Sequence, residues 1–130
     1  MASSPNFSNT PNLSSGRITT ADTSLTAPAA AVLCFTAGAS GSRIFRIDIV
    51  QVSTAAGNDI VNLFWYDGTN YRLWRSIDLD TLTVLATVPP ASIVLTFPEG
   101  LGVPGTGFNR LYATTFSGGD FDVTVYGGDF

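Results

Sequence analysis

Histidine and lysine are both absent from this 130-residue chain, and Glu99 is its only glutamate. Without histidine there is no Ser-His-Asp triad, no Cys-His pair and none of the usual zinc sites. Without lysine there is neither a Schiff base nor a P-loop, whose lysine contacts the phosphates. Charged residues make up 12% of the sequence, about half the ~25% of an ordinary soluble domain. Ser, Thr, Asn and Gly fill the polar role instead. Such neutral groups lose less on desolvation than ions do, so a surface built from them suits burial against a partner. Six arginines stand scattered against ten acids, for a net charge of −4. Phosphate tracking needs clustered cations, so nucleic acid is not an expected partner.

Other scarcities narrow the reading further. Cys34, inside "AVLCF", is the single cysteine, which excludes an internal disulfide and predicts a small buried hydrophobe. No apolar run approaches the ~18 residues of a membrane span, so no membrane partner is expected. The opening "MASSPNFSNTPNLSS" has no basic start and no apolar stretch, and is not read as a signal peptide. The expectation is a chain that folds in a cytosol. The Ala-rich patch "LTAPAAAV" is cut by Pro28 and is too short for a stable helix.

What is present is β-forming. Residues 1–15, rich in Ser, Asn and Pro, predict an extended arm, and residues 16–130 one β-sandwich domain. Its strands are predicted at "GRITT", "AVLCFTA", "RIFRIDIVQVS", "IVNLFWY", "YRLWRSIDL", "SIVLTF", "FNRLYATTF" and "FDVTVY". Branched and aromatic side chains suit a pleated sheet, and the Asp-Gly and Gly-Gly pairs suit tight hairpins. In "FDVTVY", Phe121, Val123 and Val125 predict one face, Asp122 and Thr124 the other. In the third strand Phe45, Ile47 and Ile49 predict a shared face, before Val50 and Val52 switch phase; a bulge would explain the slip. About eight strands predict an all-β, two-sheet antiparallel sandwich, best matched by a jelly roll. An immunoglobulin-like sandwich has a similar strand count.

Paired carboxylates are the one generic catalytic option left. Asp78 with Asp80, and Asp120 with Asp122, lie two apart on predicted strands and share faces. Such pairs serve calcium binding or acid–base work, yet nothing else in the sequence completes a site. The expectation is therefore no enzyme activity, no cofactor and no metal. The "GGD" segments lack a nonapeptide period and read as turn and strand-end glycines.

The stretch "FWYDGTNYRLW" carries five aromatic rings around one turn. Phe64 and Tyr66 predict one face of their strand and Trp65 the other, while Tyr71 and Leu73 alternate with Arg72 and Trp74. Both faces of the hairpin carry rings, so one can be core while the other is covered or exposed. Trp, Tyr and Arg are enriched at binding hot spots, and a sugar platform uses the same rings. Tyr66, Arg72, Trp74 and Arg75, with Phe45, are the candidate interface residues.

Taken together, "FTAGASGSRIFRIDI", "LFWYDGTNYRLWRSI" and the terminal "GGDF" resemble a group of small tailed-bacteriophage virion proteins, over roughly Ala31 to Phe130. Phe45 departs from the resemblance, which leads one to expect a charged residue after "GSRI". The resemblance implies capsid decoration (cement): a homotrimer bound to the phage major capsid protein. Its place would be the capsid surface of the virion, after assembly in the bacterial host cytoplasm. The alternatives are a host-surface or glycan-binding module of a fibre or tail, and a tail or connector component.

Overall fold

Turn residues divide the apolar runs into strands as the sequence predicts. In the computed structural model, which describes residues 10–53, 58–80 and 90–130, eight strands form. They are β1 (Thr10–Ile18), β2 (Val32–Thr36), β3 (Ser42–Gln51), β4 (Asn58–Tyr66), β5 (Tyr71–Asp80), β6 (Ser92–Val103), β7 (Arg110–Thr115) and β8 (Phe121–Asp129). One sheet has the order β1-β8-β3-β6 and the other β2-β7-β4-β5. Every ladder between these strands is antiparallel. β1 pairs with β8, β2 with β7, β3 with β6 and β4 with β5. The chain is thus one long hairpin, with β4–β5 at its tip, folded so that successive strand pairs fall alternately in the two sheets.

The inward faces make a β-sandwich core. Ile18, Ile44, Ile47 and Ile49 from one sheet meet Val61, Leu63 and Leu111 from the other, all without solvent exposure. Burying each such side chain contributes about 1.5–3 kcal/mol. Phe121, Val123 and Val125 are buried on the face predicted for them. Cys34 is also buried, and burial pushes its thiol up to about 12, so it packs as a small hydrophobe.

The two long sides of the sandwich differ. Beside β1 the sheets nearly touch: a Cβ on Gly16 would come 2.8 Å from the Leu33 carbonyl oxygen and 3.0 Å from Cys34 Sγ. Beside β5 and β6 they splay. There the inward Ile93, Leu95, Phe97 and Leu101 are only partly buried. A cleft of about 210 Å³ opens at that side between Trp65, Leu101, Val103 and Phe108.

Three elements differ from the sequence reading. β1 begins at Thr10 and not near Gly16, so Thr10–Ser15, read as arm, are paired to β8; residues 1–9 lie outside the described residues. The Ser and Asn side chains of Thr10–Ser15 suit the pairing with β8, because Asn12 Nδ2 donates to Asp129 Oδ1 at 2.8 Å. β6 continues past Phe97 through Pro98 to Val103. Proline is tolerated there because β6 is a sheet edge, and it falls where the β3–β6 register shifts. In β3 that shift lies between Ile44 and Arg46, earlier than the predicted slip. Phe45 is the extra residue and is exposed, while Ile44, Ile47 and Ile49 face the core.

Candidate functional site

Antiparallel order brings the β2–β3, β4–β5 and β6–β7 connections to one end of the sandwich, beside the C-terminal Phe130. The Thr36–Arg110–Tyr66–Tyr71 row closes one sheet there, and the Thr10–Asp129–Ser42–Val103 row closes the other. Local chemistry tightens the turns. Gly68 takes φ 100°, a conformation that side-chain-bearing residues rarely adopt. Asp67 Oδ1 accepts the Thr69 and Asn70 backbone N–H groups at 2.8 and 2.6 Å, and these bonds hold its carboxyl below the usual range.

Of the four strands that leave this end, three carry arginine at or beside their first residue: Arg43 on β3, Arg72 on β5 and Arg110 on β7. Arg75 follows along β5. Arg17 and Arg46 are ion-paired, to Asp122 at 2.7 Å and Asp48 at 2.6 Å. Arg46 also lies 5.5 Å from the centroid of Tyr126, whereas the other four make no ion pair among the described residues and lie on rings alone. Arg43 is 5.6 Å from the centroid of Phe130 and Arg72 is 5.8 Å from that of Phe108. Arg75 is 5.0 Å from Trp74, and Arg110 is 5.0 Å from Tyr66. A guanidinium stacked on a ring keeps its planar fork of N–H donors available. Few are spent here: Arg72 donates to the Tyr71 carbonyl at 3.2 Å, Arg110 Nε to Asn109 Oδ1 at 3.3 Å and Arg43 Nη1 to the Glu99 carbonyl at 3.4 Å, while Arg43 Nε is buried without a partner.

The rings form two clusters. On the outer face of β4, β5 and β7, Tyr66 stacks on Tyr71 at 4.2 Å and Tyr112 meets both edge-on. Phe64 is on this outer face and yet fully buried, with Tyr71 edge-on to it at 6.0 Å. Burial and the neighbouring Tyr112 and Tyr66 push the Tyr71 phenol above its ordinary value. The second cluster lies at the splayed side, where Trp74 sits 5.2 Å from Trp65 and stacks on Phe97 at 5.9 Å. The β4–β5 register shift, where Phe64 pairs with Leu73 and Leu63 with Arg75, leaves Trp74 as the extra residue. It turns toward the core together with Trp65.

The candidate residues therefore separate into four places. Tyr66 is on the outer face. Trp74 and Arg75 form one cluster at the splayed side, and Arg72 stands over the β6–β7 connection. Phe45 is elsewhere, on β3 of the other sheet, 42% exposed. Sequence reasoning missed Arg43, Arg110, Tyr112, Phe97 and Phe108. Its available signal was a repeated one: "GSR", "NYR" and "FNR" each place arginine just after a turn.

The opposite end is acidic. Asp78 is exposed near the end of β5, and Asp120 and Asp22 are half-buried in the β7–β8 and β1–β2 connections. Asp59 is buried at the start of β4. Its carboxylate accepts the Thr115 hydroxyl at 2.8 Å and the Ser117 and Gly119 backbone N–H groups at 2.8 and 2.9 Å. The side chain of Asp80 lies outside the described residues, and Asp122 is taken by Arg17. Among the described residues no group of three or more His, Cys, Asp or Glu is placed to hold a metal. No known protein family, curated protein or solved structure shows a match to this chain.

Proposed function

We propose that this protein is a structural virion component, a capsid-decorating jelly roll that works by packing against neighbours. In this reading it is a homotrimer seated on a bacteriophage major capsid lattice, at the surface of the virion. The nested strand pairing, in which the ranks of each pair sum to nine, is the pattern of two interlocked Greek keys, and it supports the jelly roll.

The observation that carries the function is the group of four arginines at and beside one end, without ion pairs among the described residues and each laid on an aromatic ring. Arg, Tyr and Trp on a rigid frame are the residues that dominate protein contacts. A contact surface fits better than a sugar platform because the ring faces are already occupied. Trp74 has Phe97, Trp65 and Arg75 against it, and Tyr66 has Tyr71 and Arg110. A decorating protein repeated over a lattice gains avidity, so each contact can be modest.

Particles lacking the protein should break at lower temperature than complete ones, and purified protein added back should restore them. Particle stability that is indifferent to the protein would overturn the decorating role. Saturable binding on a glycan array, lost in Trp74→Ala, would favour a fibre or tail module.

A further inference from the structure

The two ends of the sandwich carry complementary charge. Among the described residues Arg43, Arg72 and Arg110 stand at one end with Arg75 nearby, while Asp78 and Asp120 stand at the other, where Asp22 is spent on the Ser24 and Ala30 backbone N–H groups. Arg17, the arginine of the acidic end, is held by Asp122 at 2.7 Å. Of the carboxylates at the arginine end, Asp67 is spent on its own turn. Asp129 accepts Ser42 Oγ at 2.5 Å and Asn12 Nδ2 at 2.8 Å. Glu99 meets Arg43 through its backbone carbonyl at 3.4 Å, and the Arg72 charge reaches Asp67 without an ion pair, so among the described residues no stacked guanidinium of this end is ion-paired within its own chain.

We propose that copies of this chain join head to tail, the arginine end of one seated on the aspartate end of the next. The proposal rests on the self-assembling reading above and names its contact. Two arginine ends placed face to face would desolvate unpaired cations against one another, which is costly. Two aspartate ends would do the same with anions. Only the head-to-tail arrangement gives planar guanidinium forks carboxylates to bind, and a shared interface strengthens such charge-assisted bonds. Stacking holds each fork flat on its ring, so less side-chain freedom is lost on pairing. The exposed Leu73 and the rings of Tyr66 and Phe108 supply apolar area around the forks. A contact of this kind is heterologous: it closes into a ring, three copies for a trimer, or continues as a filament when the rotation does not close.

Sedimentation equilibrium of the full chain over a range of concentrations tests this. The wild type should associate, and should fall apart in about 1 M salt, where the screening length shrinks to about 3 Å. Arg72→Gln with Arg110→Gln, and separately Asp78→Asn with Asp120→Asn, should each weaken association about tenfold or more. Their thermal melting should show that both stay folded. A one-to-one mixture of the two double variants should form a dimer that cannot extend, since each retains one intact end. If the mixture stays monomeric, or the aspartate variant associates as the wild type does, the head-to-tail contact is wrong. A wild-type oligomer indifferent to both double variants overturns this contact alone. A wild type that stays monomeric overturns self-assembly with it.

Discussion

Asp59 and Arg110 stand on neighbouring strands of one sheet, at opposite ends, and their charges are put to different use. Asp59 is turned inward, and its carboxylate gathers the hydroxyl of Thr115 and two backbone N–H groups from the β7–β8 connection. Arg110 is laid outward on Tyr66 with most of its donors unspent. Charge at the aspartate end is part of what holds a loop to the sheet. The Arg110 charge at the other end adds little to folding and stays available. The difference separates residues that stability depends on from residues that contact depends on, and substitutions can pull the two apart.

The largest expected effect is at Asp59. Asp59→Ala leaves buried donors without their acceptor, at a cost of about 4 kcal/mol, read as a lower urea midpoint; Asp59→Asn should recover part of it. At the other end the greatest loss comes from beneath the arginines. Phe64→Ala removes a fully buried ring that lies against Tyr71 and should cost about 3 kcal/mol. Arg110→Ala tests the contrast directly. It gives up one cation–π contact, about 0.5–1 kcal/mol of stability, while its loss of self-association should be far greater. A fall in stability as large as that of Phe64→Ala would erase the distinction between the ends.

Acid should affect both ends alike. The Ala30 and Ser24 backbone N–H groups hold the Asp22 carboxyl below its ordinary value, and the Ser42 hydroxyl does the same for Asp129. A carboxyl depressed in the folded state contributes its stability above the unfolded value, near ~4. That contribution is lost as pH falls through the folded value. Melting temperature should therefore drop below about pH 4, and Asp22→Asn or Asp129→Asn should flatten the drop. The smallest effect belongs to the exposed ion pair of the aspartate end. Arg17→Gln should leave thermal stability unchanged, since solvent screens an exposed pair.

Strand number and most strand positions were legible in the residues because period-two alternation and turn glycines are local signals. The facing of Phe121, Val123 and Val125 followed from alternation alone. Where the reading slipped, a partner strand had set the outcome. The β1 start at Thr10 depends on β8 offering a ladder to a polar segment that has no alternation of its own. β6 runs through Pro98 because, among the described residues, no strand lies on its far side to require that N–H. Phe45 points away from Ile47 and Ile49 because the register with β6 and β8 shifts beside it. Of the candidate site, the hairpin rings and Arg72, Trp74 and Arg75 were visible as a cluster in sequence. Arg43 and Arg110, 67 positions apart in the numbering, were not, since only the strand order brings them to one end.

The amino-acid order by itself determined the strands, their turns, and an exterior low in charge, all of which depend on residues within a few positions of one another. Tertiary structure decided which arginines would find a carboxylate and which a ring. Pairing of that kind depends on which chain ends the nested hairpin gathers, and register across the sheets has no local sequence signal.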